Sequence, residues 1–133
     1  MCPKHIFLFL GLFCLLQAPV KAADFDTAYS AYESSDYREA YKGFKSLAQD
    51  QHVKAQYLLG LLYLNGQGVR KSVDRGLGWL KEAADNGSYL AAAELGQIYA
   101  TGNQVAMNAD EAAKWIQLST DLAEDEDADE ECD

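Results

Sequence analysis

The stretch AQYLLGLLYLNGQGVRKSVDRGLGWL at residues 55–80 returns as AAAELGQIYATGNQVAMNADEAAKWI at residues 91–116. Ala55, Leu59, Gly60, Tyr63, Gly66, Val69, Asp74, Trp79 and Leu80 have counterparts in Ala91, Leu95, Gly96, Tyr99, Gly102, Val105, Asp110, Trp115 and Ile116. Every pair lies 36 residues apart, without a gap. Self-similarity at a fixed period marks stacked units that bury a continuous core only together.

Each unit reads as two helices. Ala55, Leu59, Leu62 and Tyr63 fall at helical spacing and make one apolar face. Gly60 on that face lets a neighbouring helix approach closely. Asn65-Gly66-Gln67-Gly68 ends the helix, because glycine accepts the left-handed turn of a helix C-terminus. Val69 follows as an apolar plug, and Ser72 to Asp74 supply caps for a second helix. That helix turns Leu77, Trp79, Leu80, Ala83 and Ala84 inward and closes at Asn86-Gly87. Upstream, Phe25, Ala28, Tyr29 and Tyr32 make a first helix, joined through Ser34-Ser35 to another bearing Ala40, Phe44, Leu47 and Ala48. The pattern predicts three helix pairs: 24–34 with 37–49, 53–65 with 73–86, and 89–101 with 109–122.

Ala55-Gln-Tyr-Leu-Leu-Gly60-Leu-Leu-Tyr63, then Gly66-x-Gly68-Val69, Asp74, Trp79 and Ala83-Ala84-x-x-Gly87, resembles a Sel1-like repeat, a variant of the tetratricopeptide repeat. The first unit, with Asp36-Tyr37-x-x-Ala40-x-x-x-Phe44, is closer to the plain tetratricopeptide pattern. The resemblance covers about residues 24–122 and implies an all-α fold, a short right-handed α-solenoid of antiparallel helix pairs. Departures are informative. Gly76, where that family usually has alanine, and Gly78 lie inside a helix, at about 1 kcal/mol each relative to alanine. Gln104 replaces the second loop glycine of the third unit, which weakens the expectation of that turn. No fourth unit follows Leu122, so the last helix is expected to cap the stack.

The ends read differently from the body. Met1–His5 form a basic start, Ile6–Leu16 an uncharged apolar run, and Val20-Lys21-Ala22 precede Ala23 in the layout of a secretory signal peptide. The apolar run is short of the roughly 20 residues that span a bilayer, which disfavours an uncleaved anchor. The expectation is therefore a signal peptide over 1–22, a repeat domain over 23–122 and an acidic disordered tail over 123–133. Export is expected to end in the periplasm, with secretion as the alternative, and no stable membrane insertion is expected after cleavage.

Cleavage would remove Cys2 and Cys14 and leave Cys132 alone, which excludes an internal disulfide but allows an intermolecular one. The chain from residue 23 on has nine basic and 21 acidic residues, and nine of the acids lie in Asp121–Asp133. A body with a net negative charge does not look like a nucleic-acid binder, which is expected to be basic with Lys/Arg gathered on one face, so nucleic acid is not expected as a partner.

No residue set suggests catalysis. His52 reads as a surface loop histidine without a motif-linked nucleophile. Asp125-x-Asp127-x-Asp129 fails as a calcium loop at its sixth position, Glu130. Neither a metal site nor a cofactor is expected. Cysteine-rich relatives have been linked to penicillin-type compounds, but their paired cysteines are missing here, so that activity does not carry over.

What remains is surface. In tetratricopeptide-type folds the first helix of each pair lines the concave side, which implies Tyr29, Tyr32, Tyr57, Leu61, Leu64, Asn65, Leu90, Ala93, Gln97 and Thr101 as candidates for holding another protein. For Tyr29 and Tyr32, completing the core is an equal reading, whereas Leu61 and Leu64 are expected to lean outward. Alanine at Tyr57 and Leu61 is then expected to weaken binding without unfolding. The function expected is a non-catalytic adaptor, assembly factor or regulator that binds a peptide or helix. The alternatives are a small exported hydrolase without a recognisable motif, or binding of a basic partner through the tail.

Overall fold

The computed structural model describes residues 24–130, with side chains through residue 125. The expected signal peptide and the Cys132 disulfide fall outside the described residues. Six helices follow in order: α1 Phe25–Glu33, α2 Tyr37–Gln49, α3 Val53–Asn65, α4 Val73–Asp85, α5 Tyr89–Thr101 and α6 Ala109–Glu130. The principal packing is between consecutive helices only, as in a solenoid whose units touch nearest neighbours. The described residues form an all-α solenoid.

Each helix opens on a polar cap. Asp36, Ser72 and Ser88 accept from the backbone N–H three residues on, at 3.2–3.4 Å. Asn108 accepts from both Asp110 and Glu111. Such caps replace water on N–H groups that have no intrahelical partner. Helix ends fall into two kinds. After α1, α2 and α4, a tight turn closes with the N–H of Asp36, His52 or Ser88 donating to Ala31, Leu47 or Ala83. After α3 and α5, left-handed Gly66 and Gly102 release a longer loop. Ser72 and Asn108 fasten it by donating to the Tyr63 and Tyr99 carbonyls, at 2.9 Å each.

Small residues set the crossings within pairs. A Cβ on Gly60 would lie 2.9 Å from Leu80 Cγ, and one on Gly76 would lie 3.0 Å from the Gly60 carbonyl. Gly43 similarly admits Ala28, so α1 lies close on α2. The core is two clusters. One joins Ala28, Phe44, Leu59 and Tyr63; the other joins Leu77, Leu80, Leu95, Ile98 and Trp115. Half-buried Tyr57 and Leu61 pack against both. Gln56, fully buried, ties three helices. Its amide donates to the Ala48 carbonyl at 3.3 Å, and its oxygen accepts from Asn86 at 3.0 Å. No polar group is left orphaned there, which is what keeps such a burial affordable.

The same register compares the outer face of the second pair with that of the third. Leu61, Leu64, Leu77 and Leu80 help form the interface to the third pair. Thirty-six residues on stand Gln97, Ala100, Ala113 and Ile116, all exposed. Three of the four leucines give way to small or polar residues on this outer face, while Ile116 stays apolar and is 50 % exposed.

Two expectations are corrected. The last helix was expected to end at residue 122, but α6 is Ala109–Glu130. Alanine and glutamate are good helix formers, and lengthening a nucleated helix is far easier than starting one. Leu64 was expected to lean outward, but it is 3 % exposed because Gly76 leaves it space against α4.

Candidate binding face

The first helices of the three pairs, α1, α3 and α5, supply all ten candidate residues. Tyr29 and Leu90 are exposed, at 40 % and 47 %. Ala93, Gln97, Thr101 and Asn65 are exposed as well, while Tyr32, Tyr57 and Leu61 are half-buried. Leu64 belongs to the core and is withdrawn from the face. Tyr57 and Leu61 bridge both core clusters, so truncating them would also loosen the stack. Alanine at these two positions is therefore not a clean test of binding.

Three candidates meet. Tyr29, Tyr57 and Leu90, with Phe25, Lys54 and Leu58, line an open cleft of about 300 Å³. A second cleft of about 290 Å³ shares Lys54 and Leu90 and runs on over Val53, Gly87, Ser88 and Tyr89. The two form a shallow groove past the N-terminal ends of α3 and α5. The other candidates are not part of this cleft. Thr101 bonds back to its own helix, donating to the Gln97 carbonyl at 2.8 Å, and Asn65 donates to Gln67 at 3.4 Å.

An aromatic ladder stiffens the α1 side. Phe25 stacks on Tyr29 at 5.8 Å and on His52 at 4.7 Å, and Tyr29 stacks on Tyr32 at 6.2 Å. Tyr32 rests edge-on against Tyr37 and tilts over Phe44. Rings held this way cost little further entropy when a ligand lands on them. His52, read from sequence as a plain surface histidine, caps α3: its Nδ1 accepts the Ala55 N–H at 3.3 Å.

Electrostatics keep the phenols neutral. Burial raises the Tyr57 pKa above 10, and the Glu94 carboxylate and Tyr32 raise it further. Burial also raises that of Tyr32, with Tyr37 and Tyr29 adding to it. Both hydroxyls therefore stay protonated and can donate or accept beside the apolar floor. Among the described residues, no group of three or more His, Cys, Asp or Glu could hold a metal ion. No described helix is long and apolar enough to cross a membrane.

Sequence reasoning missed Phe25, Lys54 and Leu58 as parts of the face. One signal was present: Lys54 stands 36 residues before Leu90, so both occupy the same exposed place in successive units.

Known proteins agree with this architecture. The Sel1 repeat model matches residues 53–88 and 90–123. A Sel1 repeat protein from Oxalobacter formigenes is 27 % identical with a TM-score of 0.65, over 80 % of this chain and 46 % of that one. A protective antigen present in uropathogenic Escherichia coli strains, displaying an SLR fold, is 31 % identical with a TM-score of 0.66. That match covers 73 % of this chain and 22 % of the antigen. The chain thus spans less than half the length of either protein. Sel1 repeat proteins are generally protein–protein interaction modules and typically non-catalytic scaffolds. With both matched segments lying in the helix pairs that carry the 36-residue period, this chain belongs to the Sel1 repeat family.

Proposed function

We propose that this protein is a non-catalytic adaptor or assembly factor of the cell envelope that holds a peptide or a single helix of another protein on the α1–α3–α5 face. The observation that supports this reading most is the cleft itself, to which each of the three first helices contributes exposed or half-exposed apolar surface. Tyr29 and Tyr57 are of the kind that anchors interfaces, and Leu90 adds apolar area to the small floor between them. Lys54 at the rim adds one positive charge, which favours a ligand with a carboxylate beside its apolar anchor. Three helix pairs give a short groove, enough for one extended segment or a few helical turns.

Export rests on the sequence of residues 1–22, and the mass of the processed protein in a cell-envelope fraction tests it. A photo-crosslinking amino acid at position 90, set beside one at Gly78 on α4, tests the groove. One dominant adduct from position 90 that is absent from position 78 supports the reading. Equal labelling from both positions, or none from position 90, contradicts it.

A further inference from the structure

A second surface lies at the other end of the pairs, where the α3–α4 loop meets the start of α2. Gly68 is pressed so closely on the Tyr37 carbonyl and the Arg38 N–H that a side chain there would overlap them. Arg70 and Lys71 follow Gly68 in the same loop. On α2, Arg38, Lys42 and Lys45 follow at i, i+4 and i+7, so they share a face. Arg75 completes the group from the first turn of α4. Its guanidinium lies 5.8 Å over the Tyr63 ring, Tyr63 and Tyr41 share a hydroxyl hydrogen bond at 3.0 Å, and Lys45 lies 5.8 Å over the Tyr41 ring. Lys45, Tyr41, Tyr63 and Arg75 thus form a continuous line across α2, α3 and α4.

Six of the nine cations beyond residue 22 lie here, in a chain whose net charge is strongly negative. All six are exposed. Asp36, Glu39 and Asp74 neighbour these cations in sequence, and the only ion pair among the described residues joins Lys42 to Glu39 at 2.6 Å. Arg38 and Arg75 occupy first turns, where the helix dipole disfavours positive charge. A cluster held against both self-repulsion and the dipole does not improve the fold. The alternation of antiparallel helices puts the C-terminal half of α6 at the opposite end of the pairs from the α3–α4 loop.

We propose that this ridge is a docking surface for an acidic segment of a partner protein. The cations are spread along α2, the α3–α4 loop and the first turn of α4, which suits a chain of carboxylates better than one compact anion. The large apolar residues that are exposed, Tyr29, Leu90, Met107 and Ile116, all lie on other elements. The ridge therefore has no apolar group to insert into a bilayer, and this favours a peptide over a lipid surface. The surface is separate from the groove, so either can fail without the other.

The test uses a fluorescent oligoglutamate peptide, an uncharged glycine–serine peptide of equal length, and vesicles of anionic lipid. Two variants of equal net charge are compared: Arg38→Gln/Arg75→Gln on the ridge and Lys81→Gln/Lys114→Gln elsewhere. Circular dichroism and melting curves confirm that both are folded. Oligoglutamate should bind at low salt, weaken on going to about 0.3 M salt, and bind the ridge variant roughly tenfold less tightly. The other variant should bind it as the parent does. No binding of oligoglutamate, equal loss in both variants, or binding of vesicles but not peptide would overturn the proposal.

Discussion

Alanine placed at Gly76 and at Gly78, two residues apart on α4, should move stability in opposite directions. Both positions are helical, so alanine gains about 1 kcal/mol of propensity at either one. At 78 nothing lies within 4 Å of the new methyl group, and the full gain should appear. At 76 the methyl would sit 2.7 Å from Leu64 Cγ and Cδ2 and 3.0 Å from the Gly60 carbonyl. Leu64 is buried between α3 and α4 and the carbonyl belongs to a packed helix, so neither yields easily. Overpacking of this kind costs about 1–3 kcal/mol, which exceeds the propensity gain and leaves a net loss of about 1 kcal/mol. The third pair shows the compensated arrangement, since Ala112 stands where Gly76 does and Ala100 stands where Leu64 does. Leu64→Ala alone should cost about 2–5 kcal/mol, and adding Gly76→Ala to it should recover part of that loss. Urea unfolding followed by helical circular dichroism measures all four variants. If Gly76→Ala stabilises as much as Gly78→Ala, or the double variant is merely additive, the close-crossing argument is refuted.

Other outcomes follow from particular positions. Gln51 holds φ +63 at the place where the next unit has Gly87, so Gln51→Gly should raise stability by roughly 0.5–1 kcal/mol; an unchanged urea midpoint would deny the strain. Gly68→Ala must leave its left-handed backbone or displace the start of α2, and should lower stability by more than about 2 kcal/mol; a wild-type melting curve would contradict that seating. The Tyr41 pKa is raised, chiefly by its hydrogen bond with Tyr63 and then by burial, and those of Tyr57 and Tyr32 are raised chiefly by burial. A raised folded-state pKa stabilises fully below the unfolded value near 10, and that stability is lost as pH rises through the folded value. Thermal stability should therefore fall from about pH 10 upward, and less steeply in Tyr57→Phe. Equal slopes for parent and variant would remove Tyr57 from that explanation.

Most of the fold was legible because local and repeat signals pointed the same way. The helix ends at Asn65 and Thr101, the glycine turns after them and the caps at Ser72 and Asn108 all follow from the 36-residue register. What failed needed information from another helix. Leu64 looks outward along α3, and only the missing side chain of Gly76 opposite draws it inside. The repeat pattern ended the last helix at Leu122, whereas propagation from an anchored α6 carries it on to Glu130. Of the face, sequence supplied Tyr29, Tyr57 and Leu90 one at a time. Their meeting around a cleft with Phe25, Lys54 and Leu58 depends on how far each pair is displaced from the last, which no local pattern encodes.

The groove reading stands or falls on binding to an exposed residue whose loss leaves the fold intact. Leu90 is such a residue, 47 % exposed and outside the buried core. The decisive measurement is the affinity of the crosslinked partner segment for the parent protein and for Leu90→Glu, with melting curves recorded alongside. Replacing an apolar anchor by a charge should weaken binding at least about tenfold at an unchanged melting temperature. An unchanged affinity would mean that the partner is held elsewhere and that the α1–α3–α5 cleft is not the binding site.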